Sequence, residues 1–423
     1  MCVHLRALCV WVPAPIPFSL AAAPDARARA APTRPMRILF ALTYYRPHVS
    51  GLTVLAQSLA ESLAARGHEV TVLASRHDEG LPREETLEGV RVVRVPVGYR
   101  LGKGLFMPGH ARAARELLPP QEAVVVSLPA SPSESLVLPI LARLGGRAPL
   151  VVVYNCDLKL PPGLVGRALG AANFACNAAA GALAARVVTL TQDYADDSRY
   201  LRLFAGKSEV IVPAVLIDAP AAEDVAEFRR RHAPRGERLI GVAARVAAEK
   251  GIEHLLEALP RVRAELGETK ILFTGEPGGA VGERDYWGRL RPSLDAAGAS
   301  CVFVGRLERR ELPRFYAACD LTALPSTNST EAFGLAQLES MLSGTPVVAS
   351  DLPGVRVPVR ETGMGRVVPP GDPAALAAAL VEVIRNRASY VRPRGEVECR
   401  FSFARMADEY EALFERLARG RRG

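Results

Sequence analysis

The sequence has 423 residues, which is too long for one ordinary hydrophobic core and fits two domains. Apolar residues make up 49% and charged residues 23% of it, as in soluble globular proteins, and the net charge of +8 favours anionic partners such as nucleotide phosphates. The positive charge is spread along the chain without a long Lys/Arg block, so a nucleic-acid partner is not expected. The seven cysteines contain no C-x-x-C pair and no zinc-site spacing, which fits a reducing, cytoplasmic compartment.

The first 35 residues are predicted to lie outside the folded protein. Residues 7–20 are largely apolar and precede three alanines, an arrangement that loosely resembles a signal peptide with its cleavage site. Three prolines interrupt this run, however, and it is too short to span a bilayer. We therefore expect residues 1–35 to be a disordered or misannotated extension, with the protein proper starting near Met36.

From Met36 onward, short apolar strands alternate with amphipathic helices. Residues 52–66 repeat leucine at helical spacing and are followed by Gly67, a helix stop signal. The runs that predict strands in this half are residues 38–42, 70–73, 90–95, 123–127, 150–154 and 187–190. Strands that alternate with helices predict a parallel sheet with right-handed crossovers.

The same pattern restarts after a polar stretch at residues 219–238. A helix is predicted over residues 252–266, and a last amphipathic helix over residues 403–417 must pack against another part of the chain. The strand-like runs of this half are residues 239–243, 270–274, 301–304, 321–324 and 346–349. The sequence therefore predicts two α/β halves with a boundary near residues 213–238.

Two such halves would place two sets of loops across one cleft. In open parallel sheets, ligands bind beyond the carboxyl ends of the strands. Two facing sheets therefore suit a reaction between two bound substrates.

Two cations follow the first strand of the second half. Arg245 and Lys250 lie five positions apart in a loop that leads into a predicted helix. At a strand end they can neutralise a diphosphate, the arginine with a planar fork and the lysine as a point charge. The alternative is a pair of ordinary surface cations, and the spacing alone does not exclude it.

A polar loop at residues 325–333 precedes a helix that is predicted to start near Gly334. The free N–H groups of its first turn would form an anion site, and Gly334 lets a ligand approach the backbone. Glu331 would lie in the loop, with Glu339 roughly 12 Å along the helix axis, so one carboxylate could reach a sugar and the other a ribose. Alternatively, Glu339 is a solvated helix residue and Glu331 a dipole partner, although the apolar neighbours of Glu339 argue against this.

Together these segments resemble the donor-site motifs of retaining GT-B glycosyltransferases of family 4, the group 1 glycosyltransferases. The resemblance covers nearly the whole chain from Met36. The resemblance is carried by Glu331 and Glu339, which are separated by seven residues, and by further segments. These are SGLT at 50–53, RGHEV at 66–70, residues 303–307 with 312–316, and GTPVVA at 344–349. It implies an α/β GT-B fold, in which two doubly wound Rossmann-like domains face a central cleft. The implied parts are an acceptor domain over residues 36–215, a donor domain over 216–400, and a C-terminal helix over 401–423 that packs back on the N-terminal domain.

The resemblance also implies an activity and residue roles. The enzyme would be a hexosyltransferase (EC 2.4) that moves a sugar from a UDP-, GDP- or ADP-sugar to a hydroxyl acceptor, a glycolipid or polysaccharide precursor, with retention. Arg245 and Lys250 would bind the diphosphate and stabilise the leaving group, and Glu331, the third implied catalytic residue, would contact the transferred sugar. Glu339 would bind the ribose hydroxyls. The remaining implied donor-binding residues are Gly51, Arg306, Leu307, Phe333, Gly334 and Leu335.

One position departs from the family pattern. Where the family often has a histidine after the strand at 150–154, this sequence has Asn155. Asparagine can hydrogen-bond a sugar hydroxyl but does not carry a proton at neutral pH. The candidate sugar or acceptor contacts are Asn155, Asp157 and His48. His48 follows the first strand and could take the place of the family's histidine; the alternative is an ordinary surface histidine.

No cofactor is expected besides the donor substrate. The sequence lacks a D-x-D triad in a strand-end loop, so a bridging metal ion is not indicated, and it lacks the G-x-G-x-x-G fingerprint of nicotinamide enzymes. Peripheral contact with the inner face of the membrane is predicted for a basic and apolar segment, and the alternative is an ordinary loop and a solvated helix. Its residues are Arg100, Leu101, Lys103, Leu105, Phe106, Met107, Arg112 and Arg115.

Two other functions are compatible with this fold. A nucleotide-sugar 2-epimerase shares such a cleft but needs acid and base groups at the sugar C2, and no convincing pair is present. A degenerate transferase that only binds a sugar nucleotide or a partner protein is favoured by Asn155 and opposed by the intact cations and glutamates.

Overall fold

The computed structural model describes residues 34–101, 104–145, 148–160, 163–275, 277–278 and 284–420. The prediction for residues 1–35 therefore falls almost entirely outside the described residues. The described chain contains an eight-stranded sheet, a six-stranded sheet and a two-stranded hairpin. Among the described residues, no helix is both long enough and apolar enough to cross a membrane.

The eight-stranded sheet is built from the N-terminal half of the chain. Its strands and those of the hairpin are β1 (Arg37–Ala41), β2 (Glu69–Arg76), β3 (Glu84–Leu87), β4 (Val90–Pro96), β5 (Tyr99–Leu101), β6 (Gly104–Phe106), β7 (Ala123–Leu128), β8 (Leu150–Tyr154), β9 (Arg186–Thr189) and β10 (Ser208–Val210). The sheet order is β10-β9-β8-β7-β1-β2-β4-β3, and all neighbours are parallel except β3 with β4. Strands β5 and β6 form the antiparallel hairpin.

Helices connect these strands. They are α1 (Gly51–Ala65), α2 (His110–Leu117), α3 (Leu138–Gly145), α4 (Leu164–Leu183), α5 (Gln192–Asp197) and α6 (Arg199–Leu203). A π-helical turn, Ser133–Val137, leads into α3. Helix α1 begins where the Ser50 hydroxyl accepts a hydrogen bond from the Thr53 N–H, which caps an otherwise unpaired donor.

The six-stranded sheet is built from the C-terminal half and is entirely parallel. Its strands are β11 (Arg238–Val242), β12 (Thr269–Thr274), β13 (Cys301–Gly305), β14 (Leu321–Leu324), β15 (Val347–Ser350) and β16 (Gly365–Val368), in the order β13-β12-β11-β14-β15-β16. Both central strands, β1 and β11, run between neighbours on either side and are apolar on both faces, as helix-covered parallel strands require.

The helices of this half complete the layers. They are α7 (Ala222–His232), α8 (Ile252–Leu266), α9 (Arg284–Ala297), α10 (Leu312–Ala318), α11 (Leu335–Leu342), α12 (Arg356–Thr362), α13 (Pro373–Arg385), α14 (Arg387–Tyr390), α15 (Arg394–Arg400) and α16 (Phe403–Arg419). The predicted α/β architecture is confirmed. The polar stretch at residues 219–238 contains helix α7.

The last helix, α16, lies against the N-terminal sheet. Arg66, at the end of α1, contacts Asp408 and Glu411 of α16 at 2.5 and 2.8 Å, and Arg416 contacts Glu209 at 2.7 Å. The apolar side of α16 is buried, including Tyr410, Leu413 and Phe414. Burial of that side explains why the sequence repeats apolar residues there.

The segment predicted to contact a membrane is only partly exposed, with Arg112 and Arg115 open to solvent. Leu105, in β6, and Met107, just after it, are buried, and Phe106 between them is exposed. The Arg100 guanidinium donates to the His77 carbonyl. Lys103 lies outside the described residues. The prediction of this particular surface was wrong for Leu105 and Met107, while Phe106 is exposed.

Candidate active site

The loop after β11 carries the two predicted cations and is held tightly. Gly251, at its end, has φ of +60°, and a Cβ there would lie 2.2 Å from the Pro325 carbonyl oxygen. The Thr327 N–H donates to the Glu249 carbonyl at 2.9 Å. Only glycine fits such an approach, so the loops after β11 and β14 are fixed against each other.

Each cation in this loop has a carboxylate partner. Lys250 Nζ forms an ion pair with Glu331 Oε2, and Arg245 Nη2 lies 3.3 Å from Glu249 Oε1. The side chains of Lys250 and Glu331 are only 19% and 13% exposed, whereas Arg245 is 45% exposed. The structure thus brings the three predicted catalytic residues to one edge of the sheet, with Arg245 open to solvent.

The loop after β14 leads into the N-terminus of α11. Gly334 has φ of +77°, and a Cβ there would meet Leu324 Cδ2 at 2.5 Å. Phe333 is buried and Leu335 is the first residue of α11, so their backbone groups rather than the Phe333 ring are presented at this end. The Gln337 N–H donates to the Gly334 carbonyl at 2.9 Å, so an anion at this helix N-terminus would meet the N–H groups that precede it.

Glu339 is oriented by a residue that sequence analysis assigned no role. The Tyr316 hydroxyl, on α10, donates to Glu339 Oε2 at 2.7 Å. Burial raises the pKa of the Glu339 carboxyl, and the Tyr316 hydrogen bond and the Arg309 charge oppose that shift. Tyr316 and Glu339 lie 23 positions apart in the sequence. The only sequence signal for their contact was that both belong to segments that resemble the glycosyltransferase family.

The N-terminal half contributes a loop to the same cleft. Arg306 follows β13, and its Nη2 donates to the Pro47 carbonyl at 3.0 Å. Gly51 starts α1 with open space where a Cβ would be. Leu307 is partly buried against the core. The strand-end loops of the two sheets therefore meet, with Arg306 reaching across.

His48 lies in this loop beside two aromatic rings. Its ring centroid is 4.4 Å from that of Tyr44 and 5.9 Å from that of His77. Burial, with smaller contributions from the charges of His77, Arg245 and Arg306, lowers the pKa of His48 to about 4. His48 is therefore neutral at physiological pH and lies close enough to Arg245 to feel its field.

Asn155 and Asp157 are engaged within the N-terminal half. Asn155 Nδ2 donates to the carbonyls of Leu128 at 3.0 Å and Val153 at 3.2 Å, which uses both amide hydrogens. Asp157 Oδ1 accepts from the hydroxyls of Tyr154 at 2.6 Å and Ser198 at 2.9 Å. The Asn155 side chain can therefore offer a ligand only its carbonyl oxygen.

Two further residues near the cleft were missed by sequence reasoning. The buried Tyr194 hydroxyl accepts from the Asp157 N–H at 2.5 Å and donates to the Ser329 carbonyl at 3.1 Å, joining the two halves. The Cys156 thiol feels the charges of Glu331 and Lys250, and burial raises its pKa to about 12, so it is not a nucleophile at neutral pH. No local pattern identifies either residue.

Among the described residues, no group of three or more His, Cys, Asp or Glu side chains is arranged to hold a metal ion. The charged groups at the cleft include Arg245, Lys250 and Glu331 on loops of the second sheet, and Glu339 lies within α11. Two cations beside a helix N-terminus can stabilise a leaving anion in a partly dehydrated site.

Comparison with known proteins agrees with this geometry. Residues 50–214 match the family model of the glycosyl transferase 4-like domain, and residues 224–396 match that of the glycosyl transferases group 1. The chain belongs to the group 1 glycosyltransferases. It is accordingly an enzyme of the hexosyltransferase type with the GT-B fold, as the sequence predicted.

Relatives of this group 1 glycosyltransferase align over most of their length. The phosphatidyl-myo-inositol mannosyltransferase of Mycobacterium leprae is 27% identical over 394 residues, covering 90% of this chain and 97% of the relative. The 2-deoxystreptamine N-acetyl-D-glucosaminyltransferase of Streptomyces fradiae is 29% identical over 359 residues, covering 80% of this chain and 83% of the relative.

Solved structures share the fold. Sucrose-phosphate synthase from Thermosynechococcus elongatus superposes with a TM-score of 0.70 at 21% identity, over 90% of this chain and 99% of that one. The Anabaena protein HepE, solved with UDP and glucose, has a TM-score of 0.72 at 20% identity, over 90% of this chain and all of that one.

Proposed function

We propose that this group 1 glycosyltransferase transfers a sugar from a nucleotide-diphospho-sugar to a hydroxyl acceptor with retention of anomeric configuration. The observation that carries the proposal is the convergence of Arg245, Lys250 and Glu331 with the N-terminus of α11. The cations and the helix dipole suit a diphosphate, because both stabilise negative charge on a leaving group. No metal ion is required in this proposal.

The carboxylates distinguish the two ends of the donor. Glu339, oriented by Tyr316, suits the ribose hydroxyls, since an ionised carboxylate accepts hydrogen bonds from two neighbouring hydroxyls. Glu331, released from Lys250 when the diphosphate takes the lysine, suits hydroxyls of the transferred sugar. Arg306 and Leu307 would flank the base, while Gly51 would face the diphosphate from the other half.

We propose a front-face substitution for the transfer step. The bond between the sugar C1 and the phosphate oxygen breaks as the bond from C1 to the acceptor oxygen forms on the same face. The acceptor proton passes to the departing phosphate oxygen, held by Arg245 and Lys250. A protein base is not needed in this step, which is consistent with Asn155 and with a neutral His48.

The acceptor is proposed to bind on the N-terminal half, beside His48. A cavity of about 420 Å³ lies at the ends of β2 and β4, lined among others by Arg76, His77 and Arg100. His77 contacts His48, and the Arg245 charge contributes to the low pKa of His48, which supports an acceptor position beside the proposed diphosphate site. Relatives are named for phosphatidyl-myo-inositol and 2-deoxystreptamine, and a glycolipid or saccharide precursor at the cytoplasmic face of the membrane is the proposed class here.

A donor panel tests this function. UDP-, GDP- and ADP-sugars are incubated with the enzyme, and thermal stability and nucleoside diphosphate release are followed. A bound donor should stabilise the fold by about 2.7 kcal/mol at a hundredfold excess over its Kd. Binding without turnover would indicate a degenerate transferase, and conversion of the donor to its 2-epimer would indicate an epimerase.

Glu331→Gln tests the front-face step separately. This variant should lose sugar positioning and turn over slowly without trapping a covalent species, because the carboxylate does not attack the sugar in this mechanism. Mass spectrometry of the wild-type enzyme during turnover is the matched measurement. A glycosylated peptide containing Glu331 would overturn the front-face mechanism while leaving the transferase assignment intact.

A further inference from the structure

A short helix of the N-terminal half, α5, reaches the donor loops. Thr191 caps this helix, because its hydroxyl accepts a hydrogen bond from the Tyr194 N–H at 3.1 Å. The Tyr194 side chain is fully buried, and its hydroxyl accepts from the Asp157 N–H at 2.5 Å and donates to the Ser329 carbonyl at 3.1 Å. One hydroxyl therefore acts as both acceptor and donor, and it joins the turn after β8 to the loop after β14.

A second contact fixes α5 against the C-terminal half. Asp193 precedes Tyr194, and its two carboxylate oxygens accept from the Arg356 guanidinium at 2.6 to 3.1 Å. Asp193 Oδ2 also accepts from the Gly354 N–H at 2.7 Å. Gly354 has φ of +76°, and a Cβ there would lie 2.0 Å from the Ala332 carbonyl oxygen and 3.3 Å from Tyr194 Cβ. The turn at Gly354 is therefore packed closely between α5 and the loop after β14.

The carbonyl that Tyr194 holds belongs to the turn that carries Glu331. In this turn the Glu331 N–H donates to the Asn328 carbonyl at 3.1 Å, and the Thr330 N–H donates to the Asn328 side chain at 3.0 Å. An asparagine side chain that bonds the backbone two residues on makes such a turn compact. Residues 328–331 therefore form one unit, and the bond at the Ser329 carbonyl helps to set where the Glu331 carboxylate lies.

We propose that Tyr194 is a positioning residue that sets the Glu331 carboxylate against the transferred sugar. Tyr194 does not touch the sugar; it acts through the Ser329 carbonyl. Asp157, a candidate acceptor contact, binds the same hydroxyl, so an acceptor that displaces the Asp157 turn would also displace the turn of Glu331. The effect on the sugar rests on the proposed function, whereas the link between the two turns does not.

Hydrogen exchange of the free, full-length enzyme tests the link itself. Tyr194→Phe keeps the ring and removes both hydrogen bonds of the hydroxyl. Exchange should become about threefold faster or more at the Asp157 amide and within residues 328–331. The matched control is Tyr200→Phe, since Tyr200 is equally buried and its hydroxyl donates to the Asn177 carbonyl at 3.0 Å within the N-terminal half. The control should leave both turns unchanged, and unchanged exchange at either turn in Tyr194→Phe would overturn the proposal.

A double-mutant cycle tests the positioning role. Nucleoside diphosphate release from UDP-glucose, GDP-mannose and ADP-glucose is measured for wild type, Tyr194→Phe, Glu331→Gln and the double variant. Tyr194→Phe should lower kcat about tenfold in the wild type but less than about twofold in Glu331→Gln, because the carboxylate that it positions is already gone. Tyr200→Phe should change kcat less than about twofold in either background.

Equal losses of kcat for Tyr194→Phe in the two backgrounds would indicate a purely structural tyrosine and would overturn the positioning role while leaving the transferase assignment intact. Absence of wild-type turnover would contradict the proposed function and, with it, the role of Tyr194 at the sugar. The exchange measurement needs no donor, so it would still decide whether Tyr194 links the two turns.

Discussion

Lys250 and Glu331 form an ion pair that joins the loop after β11 to the loop after β14. Both side chains are largely buried, so each neutralises a charge that would otherwise be costly in the empty cleft. A bound donor can replace this arrangement, since its diphosphate attracts the lysine and its sugar hydroxyls donate to the carboxylate. The pair therefore keeps both groups in place before substrate arrives.

Lys250→Ala and Arg245→Ala should each strongly reduce turnover while the fold remains intact. Loss of a positioned charge at a leaving group costs about 3–4 kcal/mol of barrier, which corresponds to a reduction of kcat on the order of a hundredfold to a thousandfold. Steady-state kinetics with the donor identified in the panel measures this. The control is Arg261→Ala, whose 57% exposed side chain pairs with Glu265 on the surface of α8. Wild-type kcat in either cleft variant would refute its role.

Tyr316→Phe should weaken donor binding more than it slows the chemical step. The lost hydrogen bond orients Glu339, and hydrogen bonds to charged groups contribute about 1.5–3 kcal/mol, so KM should rise by roughly tenfold or more with a smaller change in kcat. Tyr390→Phe is the matched control, because Tyr390 donates to Glu382 at 2.6 Å on the α13–α14 side. If Tyr316→Phe only lowers Tm and leaves KM unchanged, the residue is purely structural.

Glu134 should make the fold less stable as pH rises. Its carboxyl is fully buried in the π-helical turn, and burial raises its pKa from 4.5 to about 7. Below pH 4.5 the Glu134 carboxyl is protonated in both the folded and the unfolded protein. Above pH 4.5 the unfolded chain loses this proton first, which favours unfolding. The free energy of unfolding therefore falls as pH rises from 4.5 through 7. The loss is about 3 kcal/mol. Urea unfolding from pH 4.5 to 8 should show it in wild type relative to Glu134→Gln, and parallel curves would contradict it.

His48 should couple donor binding to proton uptake. Arg245 and Arg306 contribute to its low pKa of about 4, so a diphosphate that neutralises Arg245 should raise that pKa. Donor affinity should then increase as pH falls from about 5 towards 4, the range in which His48 takes up its proton, and His48→Gln should remove this dependence. Calorimetry in buffers of different ionisation enthalpy measures the uptake. Equal pH dependence in both proteins would show that the diphosphate binds elsewhere.

Much of the fold follows from local sequence patterns. The long apolar runs that predict β1, β8 and β14 lie within a residue of the observed strands, because buried parallel strands require such runs. Strand β3 was missed because its two adjacent glutamates, Glu84 and Glu85, suit an exposed edge, and the β5–β6 hairpin was missed because it is short.

The active site was predictable where residues lie next to a strand end and not where distant segments meet. Arg245, Lys250 and Glu331 follow β11 and β14 directly, so their placement could be inferred. The contact from Tyr194 to Ser329 spans 135 positions and depends on how the two halves face each other. No periodicity or spacing encodes such a contact.

Proton NMR of the reaction, run in the presence of EDTA, tests the central claim most directly. The account predicts that the donor's anomeric signal disappears, that the product signal has the same configuration, and that Lys250→Ala slows both changes to the same extent. An inverted product would contradict retention. Loss of turnover with EDTA that Mn²⁺ restores would contradict a leaving group stabilised by Arg245 and Lys250 alone.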